Sequence, residues 1–204
     1  MSALLRKLLL PIGAVALLSV SKNSLAQDSL STSGRFSPQT NISSSFIRYV
    51  DNDPEIKKFY KSIDGFKGSV TRDFSENFRG EIGVSSSGAK SELKVSGVKI
   101  TSDVSFLSFE GTMHYVSRWS GGGGAFYSRA GFSLTQMKSG AQGGGYSEQT
   151  SAQGTGFLLG GGIEFNFDDS SRIFGEINYK SFSGEIEMSG NEFLVGYKYA
   201  LGKE

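Results

Sequence analysis

Large apolar residues occupy every second position in a series of stretches that runs from about Phe46 to Leu201. Within residues 157–167, the odd positions are phenylalanine, leucine or isoleucine with one glycine, whereas the even positions from Gly160 onward are glycine or polar. A period of two is typical of β-strands, whose successive side chains point to opposite faces. The pattern predicts eight strands, at residues 43–50, 65–74, 78–86, 105–118, 125–137, 155–167, 172–180 and 192–201.

The gaps between these strands alternate in length. Short gaps lie at 75–77, 119–124 and 168–171, and long gaps lie at 51–64, 87–104, 138–154 and 181–191. Short turns at one end and long loops at the other are typical of an outer-membrane barrel, whereas a soluble sandwich has no reason to sort its loops by length. In lipid, a protein made of strands must close to satisfy its backbone hydrogen bonds. We therefore predict an all-β fold, an eight-stranded antiparallel transmembrane β-barrel with short periplasmic turns and long extracellular loops.

The start of the chain has the composition of an export signal. Arg6 and Lys7 precede an apolar run at 8–20, and small residues end at Ala26, where a signal peptidase would cut. An uncleaved membrane anchor is the alternative, but the run is shorter than the ~20 residues that a spanning helix needs. The expected domains are a signal peptide at 1–26, a periplasmic N-terminal leader at 27–42 and the outer-membrane barrel at 43–204.

Composition narrows the class of protein further. Loss of Arg6, Lys7 and Lys22 with the signal peptide leaves 18 basic against 20 acidic residues, a balance that does not suggest nucleic-acid binding. The chain has no cysteine, so no disulfide can stabilise it after export. Its residue spacing offers no metal-ligand set and no phosphate loop, and we expect neither a metal nor another cofactor.

Alternation also predicts which side chains fill the barrel. With the apolar faces outward, the lumen receives charges of both signs that can pair with one another. The predicted lumen residues are Arg48, Lys67, Thr71, Asp73, Arg79, Glu81, Glu110, His114, Arg129, Glu164, Glu176 and Lys198. Aromatic residues beside the short turns are expected to anchor the barrel at the membrane interface. They are Phe74, Phe78, Tyr115, Trp119, Phe126, Phe165, Phe167, Tyr197 and Tyr199.

Five segments follow one another with the order and spacing of a known family, at residues 65–74, 126–133, 160–167, 174–179 and 195–199. The first begins with Gly65-Phe66 and ends in a basic-acidic pair before a tight turn. Together they resemble the Ail/Lom/OmpX family of small eight-stranded outer-membrane barrels. Members of that family end on an aromatic residue, whereas here Tyr199 is followed by five further residues. The resemblance implies a surface protein whose extracellular loops bind host cells, extracellular matrix or serum proteins.

The gap between the third and fourth strands predicts a hairpin, because Ser96-Gly97 can form a two-residue turn. This register pairs residues whose numbers sum to 193, and it puts the apolar residues of both strands on one outer face. Lys94 then lies opposite Lys99, which favours a bound anion such as lipopolysaccharide phosphate or a sulfated polysaccharide. The alternative is that both lysines only keep the strand edge soluble. The inner face of the hairpin carries residues that either pack on neighbouring loops or form an exposed apolar patch, namely Leu93, Val95, Val98 and Ile100.

The first long gap contains acidic residues that suggest either a calcium site or a helical turn. Asp53 followed by Pro54 favours the capped helical turn. Lys57, Lys58 and Lys61 would then extend the basic surface.

Catalysis is not expected. The one histidine, His114, is predicted to lie in the lumen opposite Arg79, where bulk substrate cannot reach it despite the nearby Glu110 and Thr112. We expect a monomer in contact with outer-membrane lipid and lipopolysaccharide. Three functions stay open: adhesion to host cells or matrix with serum (complement) resistance, envelope integrity through lipopolysaccharide contact, and a small-solute pore.

Overall fold

The computed structural model describes residues 38–95 and 97–203, which form a closed barrel of eight antiparallel strands. Each strand pairs with its neighbours in the chain, and the last strand returns to pair with the first. The strands are β1 (Gln39–Asp51), β2 (Ile63–Asp73), β3 (Phe78–Val95), β4 (Val98–Arg118), β5 (Gly124–Gly143), β6 (Tyr146–Asn166), β7 (Ser171–Gly184) and β8 (Ser189–Lys203), with one helix, α1 (Pro54–Phe59), after β1. The predicted fold is confirmed. The described residues contain no helix long and apolar enough to cross a membrane.

The N-terminal end of the barrel differs from the predicted boundary. β1 begins at Gln39 rather than at residue 43. Gln39 and Asn41 point into the lumen and are buried, so the inward positions at this end are polar and no apolar alternation marks the strand. The predicted signal peptide at 1–26 and residues 27–37 of the predicted leader lie outside the described residues, and both stay predictions.

Strands β3 to β6 are longer than predicted. The segments 87–104 and 138–154, expected as long loops, are mostly strands joined by tight turns. Gly144 and Gly145 form the second of these turns with φ of +60° and +84°, a region that glycine adopts without strain. Above the membrane both faces of a strand meet water, so the apolar alternation that marks a strand in lipid is lost there.

The predicted register of the β3–β4 hairpin is confirmed. Lys94 pairs with Lys99, and Arg79 pairs with His114. Gly97 has a φ of +84°, as a two-residue hairpin turn requires. A slip of one residue in this pairing would have exchanged the inner and outer faces of both strands. The register that the turn predicts is therefore the same as the one that the apolar alternation predicts.

The two faces of the strands separate polar from apolar side chains. Eleven of the twelve predicted lumen residues are buried, with exposed fractions of 7 % or less. Arg48 is the exception and corrects the prediction: its guanidinium bonds Asp64 at 2.9 and 3.0 Å on the outer surface and lies 5.9 Å from the Phe46 ring centroid. Near the membrane surface a long cationic side chain can cover apolar surface and still reach a polar partner, so it need not enter the lumen. Ile47 and Tyr49 point inward instead.

The predicted aromatic residues lie beside the three short turns, on the end of the barrel opposite the long hairpins. Trp119 contacts the rings of Phe126 and Phe165 at centroid distances of 5.6 and 5.3 Å. Phe78 contacts Tyr115 at 5.5 Å across β3 and β4. Rings that contact one another across neighbouring strands form the kind of belt that sits at a membrane–water interface.

Candidate functional site

The periplasmic half of the lumen is organised around the carboxylate of Glu164. Arg79 donates to this carboxylate at 2.8 and 3.2 Å, and Lys198 donates to it at 3.0 Å. Arg172 adds a contact at 3.3 Å, and Arg79 also donates to Asp73 at 2.7 Å. These side chains are at most 9 % exposed. A charge buried to this degree depends on its partner, because an uncompensated buried charge is costly.

A second ionic network crosses the middle of the lumen. Glu110 accepts hydrogen bonds from Lys67, at 2.7 Å, and from Lys180. Lys67 also lies 2.7 Å from Glu81, which Arg129 contacts at 3.1 Å. All five side chains are no more than 5 % exposed. The lumen therefore holds paired charges of both signs, as predicted.

An apolar layer covers the extracellular end of these networks. Tyr49, Ile63, Val104 and Phe106 pack there as one buried cluster. Tyr60, which follows α1, packs against the cluster, and its hydroxyl lies 2.5 Å from the Ser102 hydroxyl oxygen on β4. A cavity of about 30 Å³ between the layer and the charged side chains is large enough for a water molecule. The described lumen is thus a packed core whose extracellular end is covered by an apolar layer.

His114 is part of this packed core. Its ring stacks on Tyr127 at a centroid distance of 5.4 Å, and its Nε2 lies 3.0 Å from the Thr112 hydroxyl. The side chain is 1 % exposed, so bulk substrate cannot reach the imidazole. Within 38–95 and 97–203, no group of three or more His, Cys, Asp or Glu side chains could hold a metal ion.

Four strands continue beyond the barrel as a sheet on the extracellular side. The β2–β3 pairing ends at Asp64–Gly88, and the β6–β7 pairing begins at Gly154–Gly184. The pairs β3–β4, β4–β5 and β5–β6 extend further, up to the two hairpin turns. We call the parts of these four strands at 89–95, 98–104, 138–143 and 146–153 the extracellular sheet. It has two edges, one on β3 and one on β6.

The predicted pair Lys94 and Lys99 lies on the outer face of the extracellular sheet, next to its first turn. Both side chains are exposed. Lys99 forms an ion pair with Glu92 at 2.8 Å, whereas Lys94 has no partner among the residues that the structure describes. Glu92 offsets part of the repulsion between the two ammonium groups, and Lys94 stays available to an external anion.

The other predicted cations lie on a separate loop. Lys57 and Lys58 belong to α1, Lys61 follows it, and all three are exposed. Lys58 pairs with Glu55 at 2.5 Å. Asp53 accepts the Glu55 backbone N–H at 2.7 Å, which confirms the predicted capped helical turn. No contact joins these lysines to the pair on the sheet in the described ranges.

The predicted apolar patch lies on the inner face of the extracellular sheet. Leu93 and Val98 are 37 % and 43 % exposed, and Ile100 is half-buried. Val98 faces the tip of the neighbouring hairpin, where a Cβ built on Gly144 would lie 3.1 Å from it. Val95 pairs with Val98 through the backbone. The patch therefore packs in part on the next hairpin and stays partly open to solvent.

Sequence reasoning missed several lumen residues, including Arg172 and one ion pair, and it missed one strand edge. Lys180 and Glu192 pair at 2.5 Å in the lumen, and both follow the inward parity already assigned to Glu176 and Lys198. Extending that parity by two steps along β7 and by three steps along β8 would have found them. The β6 residues 146–153 were assigned to a loop, because their polar side chains carry no apolar alternation.

Comparison with known proteins supports the membrane barrel. A family model described as "Outer membrane protein beta-barrel domain" matches residues 12–200. Ail, the attachment invasion locus protein of Yersinia pestis, solved in complex with the heparin analogue sucrose octasulfate, is similar at 16 % identity, with a TM-score of 0.53 over 80 % of this chain and 97 % of Ail. A major outer membrane protein from Thermus thermophilus is similar at 10 % identity, with a TM-score of 0.54 over 79 % of this chain and 99 % of that protein. At these identities the two structures support the fold alone. No curated protein matches the sequence.

Proposed function

The chain belongs to the outer-membrane β-barrel family, and on this premise we propose that it is a surface-interaction protein of the bacterial outer membrane. Its extracellular loops bind anionic ligands on host cells or extracellular matrix. The proposal rests on Lys94, which is an exposed cation without a partner in the described chain. It lies opposite Lys99 at the end of the sheet farthest from the membrane. Serum resistance would follow if the same loops captured a complement regulator.

The chemistry of the tip favours a ligand with several closely spaced negative groups. Two lysines directly opposite each other repel, and a sulfate or phosphate between them would turn that repulsion into attraction. Lys57, Lys58 and Lys61 add exposed positive charge on the loop between β1 and β2. Ail was solved with a heparin analogue, which makes heparin a sensible first ligand to test on this chain.

The test is heparin binding by the refolded protein in detergent micelles. Lys94→Glu/Lys99→Glu should weaken binding on the order of tenfold or more, since each 1.4 kcal/mol lost is a factor of ten. The matched control is Lys90→Glu/Lys138→Glu, the same charge change at two exposed lysines lower on the sheet. Equal losses of heparin affinity in both variants would mean that binding depends only on the net charge of the protein. An unchanged affinity in the tip variant would reject the proposed site.

A second candidate is envelope integrity through contact with lipopolysaccharide. Lys90 and Lys138 favour it, because they stand on the outer face of the sheet closer to the membrane, where lipid phosphates would surround the barrel. Cells carrying the tip variant and cells carrying Lys90→Glu/Lys138→Glu separate the two functions. A loss of adherence to heparin or matrix proteins in the tip variant, with unchanged detergent sensitivity, supports adhesion. A rise in detergent sensitivity in the Lys90→Glu/Lys138→Glu variant, with unchanged adherence in the tip variant, supports the envelope role.

The small-solute pore is the least favoured function. The ionic networks and the apolar layer over them fill the described lumen. A binding screen of the refolded protein against matrix proteins, heparin and complement regulators would therefore be more informative than a transport assay.

A further inference from the structure

The tips of the two extracellular hairpins carry apolar side chains on the inner face of the extracellular sheet. Leu93 pairs with Ile100 on the first hairpin, and Tyr146 pairs with Gly143 on the second. A Cβ built on Gly143 would lie 3.2 Å from the Ile100 side chain, so the two pairs adjoin. Together with the residue that follows the first turn, these side chains form one strip across the sheet. We call it the apolar row: Leu93, Val98, Ile100 and Tyr146.

The apolar row is separate from the apolar layer that covers the lumen. The next inward-facing positions toward the membrane are mostly polar and hold Ser91, Ser102, Ala141 and Glu148. The covering layer is reached only one step further along the strands, at the buried Val104. Leu93, Val98 and Tyr146 are 37 %, 43 % and 61 % exposed. Packing of the barrel therefore leaves these three side chains in contact with solvent.

The opposite face of the first hairpin tip is cationic. Lys94 and Lys99 lie there, and both are exposed. A cationic face combined with an apolar face holds amphipathic helices at the surface of anionic membranes, and a hairpin with the same two faces offers the same chemistry. Tyr146 adds an aromatic ring with a polar end, a type of side chain that is enriched at membrane–water interfaces.

Position and size indicate what covers the apolar row. β3 continues from Gly88, where its pairing with β2 ends, to Val95, which puts the tip about 23 Å further along the strand at ~3.3 Å per residue. The tip is therefore held away from the outer membrane. A stable protein interface needs about 20–30 residues from each partner, far more than the apolar row supplies. A second lipid surface needs only a protruding tip that carries apolar and cationic side chains.

We propose that the two hairpin tips insert the apolar row into the headgroup region of a second, anionic membrane, such as one that exposes phosphatidylserine. Lys94 and Lys99 then contact lipid phosphates and carboxylates, whereas Val98 and Tyr146 lie at the boundary with the acyl chains. Glu148 is one row nearer to the barrel and stays in water. The proposal goes beyond the binding of anionic ligands by the lysines, because it assigns a role to the apolar side chains.

The test is flotation of the full barrel, held in phosphatidylcholine nanodiscs, with vesicles that contain phosphatidylserine. Val98→Ser/Tyr146→Ser removes exposed apolar surface and keeps both lysines. Vesicle binding should weaken at least about tenfold, the factor that corresponds to about 1.4 kcal/mol of lost apolar burial. Phe59→Ser is the matched control, because Phe59 is 45 % exposed on α1 rather than on the hairpin tips. This control should change vesicle binding by less than about twofold.

A fluorescent probe tests insertion itself. The chain has no cysteine, so Tyr146→Cys and Thr150→Cys each accept a single environment-sensitive dye. Thr150 lies on the same face of β6, four residues or about 13 Å nearer to the barrel. Vesicles with phosphatidylserine should shift the emission of the dye at position 146 to the blue and leave the emission of the dye at position 150 unchanged.

Several outcomes would overturn the proposal. They are unchanged vesicle binding in Val98→Ser/Tyr146→Ser, equal binding to vesicles of phosphatidylcholine alone, and no blue shift at position 146. Self-association of the protein through its hairpin tips, without vesicle binding, would identify a second copy as the partner and would also overturn it. Heat-dependent gel migration shows that each variant is folded. Heparin binding should be unchanged in Val98→Ser/Tyr146→Ser, so a failure here is separate from a failure of the proposed heparin site.

Discussion

Replacement of Glu164 by glutamine tests whether the lumen is held together by its ion pairs. The substitution keeps the size of the side chain but removes the charge that Arg79, Lys198 and Arg172 share. Arg79 retains Asp73 at 2.7 Å. Arg172 loses its ion pair but keeps its hydrogen bond to the Gln39 side-chain oxygen at 2.7 Å. Lys198 is 2 % exposed and has no other ionic partner among the described residues, so its ammonium group becomes the most deeply buried uncompensated charge.

The size of the effect follows from burial. Removal of one member of a buried ion pair costs about 3–5 kcal/mol. With a urea slope of about 2 kcal/mol/M, the unfolding midpoint of Glu164→Gln should fall by about 1.5–2.5 M. Asp64→Asn is the matched control, because the Arg48–Asp64 pair has side chains that are 54 % and 39 % exposed. A pair exposed to this degree contributes about 1 kcal/mol or less.

The assay is urea unfolding of the refolded barrel, followed by the fluorescence of Trp119, the single tryptophan of the chain. Adding Lys198→Met to Glu164→Gln should recover at least about 1 kcal/mol, since the double variant leaves no lone ammonium group. The Tyr127 and Phe174 rings, 5.7 and 5.3 Å from the Lys198 nitrogen, offer the methionine an apolar environment. A loss in Glu164→Gln no larger than in Asp64→Asn would refute the argument, and so would a double variant without recovery.

Three further outcomes are expected. Gly97→Val should fray the β3–β4 turn, because a φ of +84° strains a β-branched residue; faster amide exchange near the turn with an unchanged barrel midpoint supports this, and unchanged exchange opposes it. Asp168 accepts the backbone N–H groups of Ser170 and Ser171, each at 2.7 Å, which holds the pKa of this carboxyl below its ordinary 3.8. Its stabilising effect is therefore complete above that value and is lost as pH falls through the lower folded-state pKa; an NMR titration giving a pKa of 3.8 or above would contradict these hydrogen bonds. In planar bilayers the pure protein should give no stable conductance steps, because side chains fill the lumen, and regular steps would show that an open path exists.

The register and the inward face of the barrel could be predicted because lipid imposes a strict rule. Each strand within the membrane must present apolar residues outward, so the parity of Phe78 also places Arg79 inside. The turn at Gly97 fixed the pairing independently, and the structure has Arg79 opposite His114 as that pairing requires. The agreement between the register predicted from the turn and the register predicted from the apolar alternation is informative, because a slip by one residue would exchange the lipid-facing and lumen-facing side chains.

The parts that could not be predicted lie at the membrane surface or above it. Arg48 faces outward because a charged side chain near the interface finds Asp64 and need not enter the lumen. The upper halves of β5 and β6 have two polar faces, so residues such as Gln149 give no sign of a strand in the sequence. The β6 edge is exposed because β6 pairs with β7 only from Gly154 onward. The sequence pattern does not show where that pairing begins.

The central claim is that the chain closes on itself through β1 and β8, and a designed disulfide tests it most directly. The native chain has no cysteine, and Phe46 pairs with Val195 across this seam. Paired Cα atoms of antiparallel strands lie about 4.5–5.5 Å apart, within the range of a disulfide. In Phe46→Cys/Val195→Cys, mild oxidation of the folded protein in detergent should protect both thiols from a maleimide mass tag. In Phe46→Cys/Tyr199→Cys, whose positions are offset by four residues or about 13 Å, both thiols should stay reactive. Free thiols in the first variant, or equal cross-linking in both, would contradict a closed barrel with this register.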